Sequence, residues 1–395
     1  MITTEILGGA VMLSGNPVEI KCSGASIPAG ASNYEIMLRV VSEDGKLYGA
    51  PFEDAIAPDS SGEALFDISG YVDQPVRAVF QYPPSGVVVA YPTQAFNIQI
   101  QAGERYVDSS NELQESWGSL SSIFQILKGG ISPRQITALR DLGTNFYTKY
   151  IVGGKFLTAR PWQEIVHPDQ PMKLWFMYPG STTCNLKFSL AWSDGTYTYH
   201  TYEVNLWQDY LYEFNVNPKL LGIDIESGNN KVLFFDVELD GKSESRRFEY
   251  DWIPVERPVF LMFANTFGGV DDVYFRGFIK DQFITVSSTV TRPMLRTDTV
   301  YDGTILTQSR TGQNKWTINS GWKEFTTIQY YRDLLVSKQV WYLYTNVNQT
   351  YTSIIPVLVE DNDMELFDRV SGLHSMDLVI TEAHISPHSF DNRQF

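Results

Sequence analysis

Alternation of apolar and polar residues with a period of two runs through much of this chain. Val18, Ile20 and Cys22 are separated by Glu19 and Lys21, and Tyr34, Ile36, Leu38 and Val40 repeat the pattern up to Asp44-Gly45, a hairpin signal. Ala64, Phe66 and Ile68 form a third such run, and Phe96, Ile98 and Ile100 another. A repeat of two puts one row of side chains on each face, which predicts half-buried strands. Strands at these intervals, with turn residues between them, predict an immunoglobulin- or fibronectin-like β-sandwich over residues 1–103.

The rhythm breaks over 104–150. Ser132-Pro133-Arg134-Gln135 carries a capping serine, a proline at the first helical position and a glutamine three residues after the cap. Ile136, Leu139 and Leu142 then share a face and Gly143 ends the turn, so a short amphipathic helix is predicted. Leu120, Ile123, Phe124 and Leu127 have helical spacing too, and the whole stretch reads as a helical linker. Alternation returns over 151–255, where Cys184, Leu186, Phe188, Leu190 and Trp192 lead into Asp194-Gly195, and Val232 to Leu239 leads into Asp240-Gly241. This predicts a second β-sandwich. Over 256–395, Phe260 to Phe263, Tyr274-Phe275, Trp341 to Tyr344, Ile354 to Val359 and Met376, Leu378 and Ile380 read as strands. Phe325, Ile328, Tyr331 and Leu335 recur at helical spacing within 323–336, so the last domain is predicted as α+β and split-barrel-like. The predicted fold class is therefore mainly β.

Local catalytic signals are few. There is no Gly-rich phosphate loop, paired-cysteine zinc motif or complete EF-hand loop. His384 and His388 have the spacing of helical zinc ligands, but Pro387 between them opposes a helix. His167 and His200 lack a neighbouring nucleophile-elbow sequence. Asp271-Asp272 and Glu360-Asp361, the latter in an acidic cluster with Asp363 and Glu365, are carboxylate pairs, but neighbours on a strand point to opposite faces, so neither makes a glycosidase pair. Solvated turns are expected at both, with calcium at Asp361, Asn362, Asp363 and Glu365 as a secondary reading. Trp175, Trp192, Tyr197, Tyr199, Tyr202, Trp207 and Tyr210 crowd the second sandwich and suit a core, a subunit interface or a sugar.

Composition narrows the classes further. With 43% hydrophobic and 19% charged residues, the 395-residue chain is globular and long enough for two or three domains. A net charge of −16 argues against a nucleic-acid-binding surface, which needs clustered Lys and Arg. Met1-Ile2-Thr3-Thr4-Glu5 has no basic region, so no secretory signal is expected, and no apolar run is long enough for membrane insertion. Cys22 and Cys184 lie in alternating strands and are expected as buried free thiols in a protein made in a reducing cytoplasm.

Two segments carry a family resemblance. Phe263-Ala264-Asn265-Thr266-Phe267-Gly268-Gly269-Val270-Asp271-Asp272-Val273-Tyr274-Phe275 resembles a strand-turn-strand of tail proteins from Bacteroidetes phages and prophages. Lys315 to Trp322, Asp333 to Trp341 and Ile355-Pro356-Val357 are similar to the later part of those proteins. The resemblance implies a non-enzymatic virion component of collar, distal-tail or upper-baseplate type. It would form a ring-like homo-oligomer that docks other tail proteins, with no cofactor and no metal. Candidate assembly and turn residues are Phe267, Gly268, Gly269, Asp271, Trp316, Trp322 and Trp341. On this reading the last domain makes the oligomer contacts, and a chain cut after about residue 255 stays soluble without forming rings. The alternatives are a glycan-binding adhesion protein that meets a host surface glycan, or a polysaccharide depolymerase.

Overall fold

The structure, a computed structural model, describes residues 2–24, 26–42, 51–74, 76, 78, 80–82, 86–91, 96–208, 210–291, 305–345, 352–360 and 373–384. It is mainly β, with 51% of residues in strands and 11% in helix. Two compact units form: residues 1–250 with Ala264–Asp271, and Asp251–Phe263 with 272–395.

The first unit begins with two sheets. Strands β1 (Thr3–Ile6), β3 (Glu19–Ser23) and β6 (Ala64–Asp67) make one of them. The other holds β2 (Val11–Leu13), β4 (Ser32–Ser42), β5 (Phe52–Ile56), β8 (Phe96–Val107), β9 (Leu113–Leu120) and β10 (Phe124–Leu127), in the order β2-β10-β8-β4-β5 with β9 also on β8. The alternating apolar residues supply a shared core: Ile20, Cys22, Ile36, Leu38, Phe66, Ile98 and Ile126 all lie in it. Sheet-on-sheet burial of one row per strand is what the period of two demands.

The stretch 104–150 is not a helical linker alone. The boundary expected at 103 falls inside β8, and β9 and β10 complete the first sandwich-like layer pair. The β8–β9 hairpin turns on Asp108, whose carboxylate accepts the Ser110 and Glu112 amides, with Asn111 left-handed at φ 62°. An Asx-type turn carries no Asn-Gly or Asp-Gly signature. Leu120, Ile123, Phe124 and Leu127, expected as a helix, are the end of β9, a connection and the fully buried β10. A strand buried on both faces shows no alternation, so the spacing mimicked a helix. Helix α2 (Pro133–Asp141; the four-residue α1, Ser69–Val72, precedes it) follows with the capping box intact, and a π-helical turn spans Tyr147–Val152.

The rest of this unit is a second pair of sheets. Strands β11 (Gln163–Val166), β13 (Thr182–Trp192), β14 (Tyr197–Leu206), β17 (Asn230–Leu239) and β18 (Arg246–Tyr250) run in the order β11-β18-β17-β13-β14, and β16 (Glu226–Ser227) adds to β17. The smaller sheet is β12 (Lys173–Met177), β15 (Leu211–Asn215) and β7 (Val88–Tyr91). Strand β7 comes from the sequence expected to belong to the first sandwich. Its approach also brings Gln81 to Lys173 and Gly86 to Asn215. The two halves of the unit therefore share chain, since β7, which lies within 1–103, pairs with β15.

The second unit contains a seven-stranded sheet in the order β20-β19-β24-β25-β27-β22-β21. Its strands are β19 (Val259–Ala264), β20 (Val270–Phe275), β21 (Ile279–Thr291), β22 (Ile305–Asn319), β24 (Val340–Thr345), β25 (Thr352–Val359) and β27 (Asp377–Glu382). A small ladder pairs β23 (Lys323–Glu324) with β26 (Leu373–His374). Helix α3 (Phe325–Val336) buries Ile328, Tyr330, Tyr331 and Leu334, and the Tyr331 hydroxyl donates to the Tyr274 carbonyl at 2.9 Å.

Candidate interaction surface on the sheet edged by β14

Strands β13, β17 and β18 have one buried row and one outward row each, and in β14 the inward row is half-buried from Thr198 to Tyr202 and buried at Val204 and Leu206. The buried row of Phe188, Leu190, Phe235, Val237 and Phe248 makes the core. The register then dictates the outer face. Tyr199, Ser189, Asp236, Arg247 and Gln163 stand side by side across five strands, and Tyr197, Ala191, Phe234, Glu249 and Ile165 form the next row.

Charge on this face is internally answered. Arg247 grips Asp236 through two hydrogen bonds of 2.9 Å, and its guanidinium lies 4.2 Å from the centre of the Phe234 ring. The hydrogen bonds from Arg247 to Asp236 raise the guanidinium above its usual range. Trp162 flanks the same guanidinium at 5.4 Å and is half exposed. A groove of about 490 Å³ runs over Lys187, Ser189, Tyr199, His200, Asp236 and Glu238. Toward the sheet edge the aromatics are open, with Tyr199 72% and Tyr197 55% exposed. Aromatic faces beside hydrogen-bonding polar groups suit a protein strand or a sugar ring.

The residues singled out in the sequence have a different fate. Asn265 organises the Phe267-Gly268-Gly269 turn: its side-chain oxygen accepts the Phe267 and Gly269 amides at 2.9 Å each, and its amide group donates to the Leu157 carbonyl at 2.8 Å. Phe267 is buried against Tyr150, and Gly268 is left-handed at φ 98°. Gly269 lies so close to the Trp175 indole that an added Cβ would come within 2.5 Å of its ring, and that indole donates to the Val270 carbonyl at 2.7 Å. The motif is thus an internal plug of the first unit.

Asp271 and Asp272 are not in a solvated turn. Both lie in β20 and are fully buried. Asp271 accepts from the Thr158 hydroxyl at 2.7 Å and faces the Arg160 guanidinium at 3.6 Å, while Arg160 also binds Glu164 at 2.8 Å. Nearby interior charge is paired in the same way: Lys173 contacts Glu213, whose other oxygen receives the Tyr91 hydroxyl at 2.7 Å and the Gln81 amide at 3.1 Å. Buried carboxylates held by such partners need them to offset desolvation.

Trp316 is buried and meets Tyr342 edge-on at 5.1 Å, Trp341 is partly buried, and Trp322 is 65% exposed. Cys22 and Cys184 are free and buried, and burial pushes the Cys22 thiol up to about 11. Among the described residues no group of three or more His, Cys, Asp or Glu side chains could hold a metal. Asp361, Asn362, Asp363, Glu365 and His388, like Asp44-Gly45, lie outside the described residues. No helix among the described residues is long and apolar enough to cross a membrane.

No family model matches the chain, and no curated protein matches it. Among solved structures it is similar to the methylamine-reacted α-2-macroglobulin of Salmonella, at 8% identity and a TM-score of 0.19 over 82% of this chain. It is also similar to the native α-2-macroglobulin of E. coli, at 10% identity and a TM-score of 0.19 over 99% of this chain. The chain spans 25% and 21% of those proteins' lengths, and agreement at that TM-score establishes no common fold.

Trp162, Asp236 and Arg247 were not singled out from sequence, although Tyr197, Tyr199 and Trp207 were. Their only signal was two charged residues at outward positions of strands eleven residues apart, Asp236 and Arg247.

Proposed function

We propose that this chain is a non-enzymatic structural protein of a phage tail, built on immunoglobulin- or fibronectin-like sandwiches and acting by assembly. It meets copies of itself and neighbouring tail proteins in the virion. The observation that supports assembly is β14, a ten-residue strand at the end of its sheet that carries exposed tyrosines. Surfaces of this kind are covered in working proteins. The setting comes from the resemblance of 263–275 and 315–357 to tail proteins of Bacteroidetes phages. In this reading the Asn265–Asp271 turn holds the subunit itself together, and contacts between subunits lie on outward faces. Mass spectrometry of purified particles from a phage or induced prophage encoding this chain tests the proposal. Stoichiometric recovery in the particle is expected, and its absence from intact particles would overturn the reading.

A second reading is glycan binding on the outer face of the second sandwich, favoured by Trp162, Tyr197 and Tyr199 standing open beside Asp236, Arg247 and Lys187. A glycan array with the purified chain distinguishes it: retention that is lost in Tyr199→Ala supports this reading.

A further inference from the structure

Exposed sheet edges are normally blunted by short length, charge, proline or a bulge. Several edge strands among the described residues carry such a defence. Strand β5 carries Glu53 and Asp54 within five residues, and β11 is only four residues long. Strand β21 carries Lys280 and Asp281 at its start. Strand β14 is defended least, by a single charge. Its pairing with β13 runs without a register shift from Leu206 to Tyr197, it contains no proline, lysine or arginine, and Glu203 is its one acid. Among the described residues no strand pairs with its other side.

Charge selects the partner. Two copies of a chain with net charge −16 repel one another over most of their surface. Ten consecutive residues with one charge offer a place where copies can approach. The outward row also reads suitably in reverse: Tyr197, Tyr199, Thr201, Glu203. In an antiparallel pairing centred on His200, Tyr199 of each copy faces Thr201 of the second copy, an aromatic–β-branched pair of the kind that stabilises sheets. Tyr197 then faces Glu203 of the second copy, where a tyrosine hydroxyl can donate to the carboxylate. The central residue, His200, is half-buried and its neighbours across β13 are uncharged on that face.

We infer that β14 is the edge along which two copies of this chain pair, antiparallel about His200, joining their sheets into one. The inference rests on the assembly reading above and names its contact. A two-fold axis uses the same strand from each copy, so pairing consumes both edges and stops at a dimer. Any larger ring would then be built from such dimers through other surfaces.

The test is light scattering coupled to size exclusion on the full chain at micromolar concentration. The wild-type protein should have at least twice the 44.8 kDa chain mass. Tyr199→Glu combined with Thr201→Glu makes the two substituted positions face one another with like charge in the register centred on His200, and the species should halve in mass. Both positions are exposed, so circular dichroism should be unchanged. As a positive readout, a mixture of Tyr199→Cys and Thr201→Cys proteins should form a disulfide dimer under mild oxidation, more than either alone. A monomeric wild type, or a double variant that keeps the wild-type mass, overturns the inference. A monomer that is nevertheless found in virions removes this contact and leaves the tail assignment standing. A β14 dimer absent from virions does the reverse.

Discussion

The Asn265–Asp271 turn, with one aromatic among small and polar residues, and strand β14, with three tyrosines, end in opposite environments. In the turn, Asn265 answers two amides and a carbonyl, Phe267 is covered and Asp271 meets Thr158 and Arg160. In β14, the outward row faces solvent and one whole side of the backbone has no strand beside it among the described residues. What separates a stabilising motif from an interaction motif is therefore whether its polar groups are already satisfied within the subunit, not its composition.

Substitutions should expose that difference as a gradient of stability. Lys173→Met, which strands Glu213 in the same interior, should cost about 3–5 kcal/mol in urea unfolding, because an uncompensated charge remains buried. A loss below about 1 kcal/mol would show that the pair is not sealed from water. Gly269→Ala should follow at roughly 1–3 kcal/mol, since the added Cβ meets the Trp175 ring. Near-neutral behaviour there would mean that the indole moves aside freely. Tyr199→Ala, on the open row, should change unfolding by less than about 0.5 kcal/mol while weakening self-association. A large stability loss would place Tyr199 in the subunit's own framework.

The smallest effect concerns pH. Asp194, Asp108 and Asp59 hold hairpin and loop turns: the Thr196 hydroxyl lowers the first carboxyl, the Glu112 amide the second and the Ser61 hydroxyl the third. A carboxyl lowered on folding contributes stability that is present above its unfolded value and is lost as pH falls through the folded one. The turns should therefore loosen only below the ordinary aspartate range. Carboxyl-carbon NMR should show all three titrating lower than free aspartate, and ordinary midpoints would refute the turn hydrogen bonds.

Strands with one buried face were readable from sequence. The Tyr34–Val40 and Cys184–Trp192 alternations became β4 and β13, and Met376, Leu378 and Ile380 flank or lie in β27. The capping box at Ser132 was readable because every atom it needs lies within four residues. Most elements buried on both faces were not: β10, β12 and β15 show no alternation because both rows are apolar or internally paired, whereas the short apolar run of β19 was still readable as a strand. Asp271 was misplaced for a related reason. Its partner Thr158 lies 113 positions away, so nothing local distinguishes it from a solvated aspartate. Of the interaction surface, the tyrosines of β14 were visible as exposed-aromatic candidates, but the Asp236–Arg247 clasp needed the register of two strands.

The plug formed by Ala264–Asp271 also sets a timetable for synthesis. Trp175 and Leu157 are translated long before Val270, whose carbonyl accepts from the Trp175 indole, and Asn265, whose amide donates to the Leu157 carbonyl, so the sheet that holds Trp175 must wait on the ribosome with an open seam until residue 271 has emerged. Such long-range closure slows folding and exposes apolar surface meanwhile. It also reverses the simple expectation for a chain cut near residue 255. That fragment would lack the last piece of its own first unit, and it should behave as a stalled folding intermediate rather than as a finished protein missing only its assembly domain.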